Sequence, residues 1–284
     1  MILTRHSTKD GSIWALDRGA LPKSLGLGFM LGMNAEHMQR VLDNIALTRQ
    51  QAPVVEMDNE TLLPPVESDQ EVWACGVTYL RSRVEREAES SVADVYARVY
   101  DAPRPELFFK SIGSRVVGHD QKIRIRRDSS WNVPEPELTL VVNRFGEIVG
   151  YTVGNDVSSR SIEGENPLYL PQAKCYDGAC ALGPSIVLCP GSELTDLPIH
   201  LSIVRGGEEV FAGDANTSQM KRTLDELVEH LIREISFPHG VLMLTGTCIV
   251  PASDFTLLPG DTVSITVGEL TLVNEVDLNA VRGK

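Results

Sequence analysis

The sequence predicts a mixed β (α+β) protein, rich in strands and curled into a roll or barrel rather than an alternating strand–helix–strand sheet. Three observations carry that expectation. Short apolar runs, alternating or continuous, recur from residue 72 to residue 276. Turn signals such as Phe145-Gly146, Pro259-Gly260-Asp261 and Gly268-Glu269 separate them. Helical periodicity is clear only at residues 35–50 and 220–235, with a charged, helix-prone stretch at 80–100.

At 284 residues the chain can bury a substantial core, in one large domain or two unequal ones. The link Thr61-Leu-Leu-Pro-Pro-Val-Glu-Ser-Asp69 sets the expected boundary, with a small N-terminal domain over 1–70 and the main domain over 71–284. A formal charge of −13 argues against nucleic acid or an anionic membrane as partner. No apolar run approaches the length of a membrane span, and the N-terminus shows no signal-peptide pattern. Cys75, Cys175, Cys180, Cys189 and Cys248 form no Cys-x-x-Cys pair, and their odd number points to free thiols in a reducing cytoplasm.

Taken in order, residues 72–79 read as a buried strand running into the stretch 80–100. There Arg81, Arg83, Glu85, Arg86, Glu87 and Glu89 accompany a stripe of Val92, Val95 and Val99. That is either an exposed helix laced with ion pairs or a lid bringing Arg81, Ser82, Arg83 or Glu85 over an anionic ligand. In Arg104-Pro-Glu-Leu-Phe-Phe-Lys110, Phe108 and Phe109 are core candidates, and Glu106 and Lys110 flank them where polar side chains can enter a pocket. Lys122-Ile-Arg-Ile-Arg126 alternates as a basic edge strand should. The loop over 163–174 is too long for a simple connector, which marks it and its terminal Lys174 as functional candidates. Leu224, Leu227, Val228, Leu231, Ile232 and Ile235 share one face of the helix at 220–235, with Thr217 or Ser218 as its expected cap. The strand from Val241 ends in Thr245-Gly-Thr247, whose hydroxyls and amides can hold an anion. Residues 262–267 pair with 270–273 around Gly268-Glu269.

The stretch Val133-Pro-Glu-Pro-Glu137 to Gly154-Asn-Asp156 reads as a hairpin. Alternation puts Glu135 and Glu137 side by side on one face. A turn centred on Phe145-Gly146 pairs Asn143 with Ile148, and counting outward sets Asp156 opposite Glu135. Three carboxylates then meet at the open end of one hairpin. Pro134 and Pro136 cannot donate ladder hydrogen bonds, which suits an edge or a strand entrance. Three anions at one spot repel; raised pKa values or a basic neighbour can offset that, but a hard divalent cation does so most directly. Oxygen-only ligands select Mg²⁺, Mn²⁺ or Ca²⁺ over zinc. The competing explanation is a solvated strand end carrying ordinary surface acids.

These residues together resemble the fumarylacetoacetate hydrolase superfamily. The resemblance rests on Glu135-Pro-Glu137, Gly150-Tyr-Thr-Val-Gly-Asn-Asp156-Val-Ser-Ser-Arg160, Lys174 with its Asp177-Gly178, Leu182-Gly-Pro184, Thr245-Gly-Thr247 and Pro259-Gly-Asp261, in that order and spacing. It implies a β-roll of unusual topology, a homodimer, and Mg²⁺ (or Mn²⁺, Ca²⁺) held by Glu135, Glu137 and Asp156. It also implies a functional lysine at Lys174 and a keto-acid-binding threonine at Thr247. Arg160, Arg81 and Ser82 complete the expected substrate-binding set. One departure bears on the chemistry. Gly76-Val-Thr-Tyr-Leu-Arg-Ser82-Arg-Val-Glu85 has serine where the family's C–C hydrolases carry a water-activating histidine. The runs around Glu106, Glu135 and Lys174 look instead like the 2-keto-3-deoxy-D-arabinonate dehydratase branch, which implies Glu106 and Lys174 as proton-transfer groups.

That branch implies a concrete reaction. A divalent ion chelated by the 2-keto acid acidifies C3, and loss of the C4 hydroxyl, assisted by an acid, leads after tautomerisation to 2-oxoglutarate semialdehyde. Two alternatives stay open. One is a β-diketo-acid hydrolase or keto-acid decarboxylase using Glu85 or Glu106 with water. The other is a non-catalytic keto-acid binder.

Overall fold

The strands Pro136–Val142 and Ile148–Asp156 lie at the centre of the architecture, and every residue of both is buried. A computed structural model describes residues 1–49, 62–80 and 98–278. The two strands pair antiparallel within a ten-stranded sheet. Its order runs Gly19–Ala20, Gly11–Leu16, Ile2–Thr8, Cys180–Leu188, Ile148–Asp156, Pro136–Val142, Val241–Leu244, Glu71–Gly76 and Glu106–Ile112, with Leu62–Leu63 joined to Ile2–Thr8. A five-stranded sheet orders Glu208–Asn216, Pro198–Arg205, Thr262–Val267, Leu270–Leu278 and Lys122–Ile125. The basic strand Lys122–Ile125 is an edge, as its alternation predicts, and runs parallel to Leu270–Leu278.

A strand has two faces, and here both are covered. On one, Leu138, Leu140 and Val142 pack with Leu201, Ile203, Val263, Ile265 and Leu272 of the five-stranded sheet. On the other, Val141, Leu182, Leu242 and Leu244 pack with Leu27, Met30, Leu31 and Leu42 from the helices Leu27–Leu31 and Ala35–Arg49. Fully burying each such side chain contributes about 1.5–3 kcal/mol relative to leaving it exposed. Two-sided burial is why both strands read as near-continuous apolar runs. The three carboxylates are therefore rooted in the driest part of the molecule.

The hairpin register differs from the expected one near the turn and agrees with it at the open end. Asn143 pairs with Glu147 rather than Ile148, because its Oδ1 accepts from the backbone N of Phe145 and Glu147 at 3.0 and 2.9 Å and closes a turn one residue tighter. Ile148 then faces Val142, and a bulge between Ile148 and Gly150 restores the count. Gly154 faces Glu137, Asn155 faces Pro136, and the Asp156 N–H donates to the Glu135 carbonyl at 3.0 Å. Pro136 opens its strand, so it is an entrance rather than a sheet edge.

The predicted helix at 220–235 is shorter, spanning Leu224–Ile232, and its cap is Thr223 rather than Thr217 or Ser218. Thr223 Oγ1 accepts from Glu226 N at 3.2 Å. Met220 bridges to Tyr79, and the Lys221 N–H donates to the Thr78 carbonyl at 2.9 Å, holding these residues extended. The strand at 72–79 stops at Gly76 for a local reason, since Val77 takes a left-handed φ of 54°. That conformation is strained for a β-branched residue. All five cysteines are free.

Candidate active site

Alternation aims Glu135, Glu137 and Thr139 to one side, and the register brings Asp156 beside them. Ligand atoms of Glu135, Glu137 and Asp156 lie within 4.8 Å of one another, and all three residues are buried. Buried charges need partners. Lys174, at the end of the helix Leu170–Lys174, donates from Nζ to Glu135 Oε2 and Asp156 Oδ2 at 2.8 Å each and to Ser158 Oγ at 2.5 Å. Its Nζ also stands 5.7 Å from the centre of the Phe108 ring. Arg160 Nη2 donates to Glu135 Oε1 at 2.8 Å, and its Nε lies 3.7 Å from Glu163 Oε2.

Lys110 completes the cluster. Its Nζ is ion-paired with Asp156 Oδ1 and donates to the carbonyls of Lys174 at 2.6 Å and Val157 at 3.1 Å. One lysine thereby fixes both the Asp156 carboxylate and the backbone that carries Lys174. Three carboxylates face three cations, yet one acid is left short. Glu137 Oε2 accepts from the Gly246 N–H at 2.6 Å, while Oε1 has no partner among the described residues. Burial above all, and then the charges of Asp156 and Glu135, hold the Glu137 carboxyl well above the usual carboxylate range, against the opposing pull of Lys174.

Glu135, Arg160, Glu163 and Lys174 line a cavity with Glu106, Phe108, Thr247, Cys75, Gly76 and Val77. Glu106 enters from the strand Glu106–Ile112, directly opposite Gly76. Thr247 Oγ1 accepts from Ile249 N at 3.2 Å, on the turn that also supplies the Gly246 amide. Burial, followed by the charges of Glu137 and Glu106, pushes the Cys75 thiol up, so it stays a neutral neighbour of both acids.

Of the expected residues, Glu135, Lys174, Glu106, Thr247 and Arg160 thus line one cavity, and Glu137 and Asp156 cluster with Glu135 in its wall. Arg81 and Ser82, with the lid expectation for 80–100, fall largely outside the described residues. Lys110 is expected only as a side chain able to enter a pocket and the Gly246 amide only as part of an anion-holding turn, and both act on the carboxylate cluster itself, while the residue types assign Glu163 no role. Lys110 carried a faint signal, a lysine closing an apolar strand. Glu163 carried another, an acid three residues beyond an arginine on a helix.

The donor set suits a hard cation. It is all oxygen, tightly gathered and dry, with an orphaned Glu137 oxygen and a carboxyl that burial and the neighbouring Asp156 and Glu135 charges hold above the usual range. A family model, fumarylacetoacetate (FAA) hydrolase C-terminal, matches residues 71–277. The chain belongs to the fumarylacetoacetate hydrolase family. Among the relatives of this FAA hydrolase family member is a probable 2-keto-3-deoxyxylonate dehydratase of Haloferax volcanii, 53% identical over 214 residues, 75% of this chain and 73% of the relative. Another is the 2-dehydro-3-deoxy-D-arabinonate dehydratase of Saccharolobus solfataricus, 46% identical over 215 residues, 72% of this chain and 71% of the relative. A solved structure, 2-keto-3-deoxy-D-arabinonate dehydratase complexed with magnesium and 2,5-dioxopentanoate, superposes with a TM-score of 0.79 at 33% identity, covering 99% of this chain and 100% of that one. The family β-roll expected from the motifs is the fold observed.

Proposed function

We propose that this chain is a Mg²⁺-dependent hydro-lyase that dehydrates a 2-keto-3-deoxy sugar acid of the pentonate class to 2-oxoglutarate semialdehyde (2,5-dioxopentanoate). The observation that carries the reading is the Glu135–Glu137–Asp156 trio bridged by Lys174 on the wall of a cavity that also holds Glu106. The identity to dehydratases at 46–53% supports it.

Glu135, Glu137 and Asp156 would hold the ion, through oxygens that Lys110, Lys174, Arg160 and the Gly246 amide already orient. Bound Mg²⁺ supplies Lewis acidity toward the 2-keto acid. The chain's own groups then move the protons. Lys174 takes the proton from C3, and Glu106 gives one to the C4 hydroxyl, which departs as water. A proton shift from C5 to C3 gives the C4–C5 enol, and its ketonisation, with the O5 proton passing to C4, completes the aldehyde with no net redox change. Phe108 and buried Cys75 keep bulk water away from that exchange. Thr247 and Arg160 receive the substrate's oxygens, as do Arg81 and Ser82.

Two supporting readings belong with this one. The family match begins at residue 71, beside the Pro64-Pro65 link, which favours residues 1–70 as a small unit lending strands to the sheet of 71–284. The chain works as a homodimer in the cytoplasm, in keeping with its acidity and five free cysteines; no described helix is long and apolar enough to cross a membrane.

The deciding experiment incubates purified protein and Mg²⁺ with a 2-keto-3-deoxypentonate and, separately, with an acylpyruvate, and identifies products by NMR. The semialdehyde from the first and no turnover of the second is expected. Cleavage of the acylpyruvate without dehydration would refute the proposal. In D₂O, deuterium entry at C3 that is lost in Lys174→Met and retained in Glu106→Gln supports the assigned roles, and the opposite pattern reverses them.

A further inference from the structure

The strands Glu71–Gly76 and Glu106–Ile112 pair so that Gly76 and Glu106 are direct cross-strand partners. Glu106 folds back over its glycine. A Cβ on Gly76 would stand 2.0 Å from Glu106 Oε2, 2.5 Å from Cδ and 3.2 Å from Cγ. No real Cβ tolerates such contacts, so the carboxylate occupies the volume that any other residue's side chain would fill. The three nearest atoms all belong to that one movable side chain. At Gly113, by contrast, a Cβ would strike the Glu67 carbonyl oxygen at 1.8 Å. Gly76 also lacks the left-handed backbone that obliges glycine at Gly246, where φ is 92°. Neither backbone conformation nor fixed packing therefore explains a glycine here. The carboxylate of Glu106 does.

We infer that Gly76 is a positioning residue for the dehydration, its missing side chain creating the seat from which the Glu106 carboxylate addresses the substrate. This rests on the proposed role of Glu106 as proton-transfer group. The strained Val77 turns the chain immediately after Gly76 and joins Gly76 and Glu106 in the cavity wall. An alanine at position 76 would push the carboxylate aside by roughly the difference between its present contact and an ordinary one of about 3.5 Å. Displacements of about 1 Å at a catalytic group cost up to about 100-fold in rate.

The test compares wild type, Gly76→Ala, Glu106→Asp, Gly76→Ala/Glu106→Asp and Glu106→Gln. Gly76→Ala should lower kcat about 10- to 100-fold, while KM moves less than about threefold and the Mg²⁺ dissociation constant, read by calorimetry, less than about twofold. Aspartate is one carbon shorter and leaves room for the methyl, so Gly76→Ala should cost less than about threefold in the Glu106→Asp background. A purely structural glycine would show the same loss in both backgrounds, and that result would overturn the inference. So would wild-type kcat in Gly76→Ala, or a fall in its thermal midpoint beyond about 5 °C, which would place the clash on fixed packing. Wild-type turnover in Glu106→Gln would instead remove Glu106 from the reaction, taking this inference with it and leaving the dehydratase itself standing.

Discussion

Lys110→Met is the substitution whose consequence the structure defines most fully. Methionine keeps roughly the length of this fully buried side chain, but it removes the cation from Asp156 Oδ1 and a donor from two carbonyls, those of Val157 and Lys174. Removing one partner of a buried pair and stranding the other costs about 3–5 kcal/mol. Asp156 keeps Lys174 on its second oxygen, which argues for the lower end, about 3 kcal/mol. At roughly 2–4 °C per kcal/mol for a chain of this size class, the metal-free midpoint should fall by about 6–12 °C. The cluster would then hold three carboxylates against two cations, so Mg²⁺ has more repulsion to relieve and should raise the midpoint more in the variant than in wild type. Differential scanning fluorimetry with EDTA and with saturating Mg²⁺ reads both effects. A metal-free midpoint within about 2 °C of wild type, or an equal Mg²⁺ response, would refute the account of Lys110 as the cluster's third cation.

Two further outcomes follow from Glu137. Glu137→Gln should weaken Mg²⁺ binding by more than the about 100-fold typical of losing a supporting partner, without lowering the metal-free midpoint, since the neutral amide relieves a buried acid; calorimetry and fluorimetry check the two halves. The second outcome concerns pH. An acid whose folded pKa is raised adds stability that is complete below its ordinary range and is lost as pH rises through the raised value. The metal-free midpoint should therefore decline as pH climbs above the ordinary carboxylate range, and the Mg²⁺-induced rise should grow over the same interval. A Mg²⁺ response independent of pH would contradict a Glu137 carboxyl held above the usual range in the metal-free protein.

The family motifs and the local hairpin were legible because they depend on residues close in sequence. Strand alternation alone aims Glu135 and Glu137 to one side, and a short turn carries Asp156 back to them. Even there, the turn was misjudged by one residue. Asn143 side-chain bonding shortens it, and a bulge restores the register before it reaches the carboxylates. The cap of the helix Leu224–Ile232 was misplaced because Thr78 and Tyr79, far upstream, hold Met220 and Lys221 extended.

By itself the sequence determined a strand-rich family member with three acids at one hairpin mouth, a lysine to neutralise them and a serine in place of the hydrolytic histidine. Only the tertiary structure decided how those acids are kept tolerable in a dry core. Lys110 reaches Asp156 from 46 positions away in the chain, and the Gly246 amide reaches Glu137 from 109 positions away. No periodicity encodes such meetings. They arise because the sheet order sets Val241–Leu244 beside Pro136–Val142, and because a charge buried on both faces of a sheet must find whatever partner the packing brings.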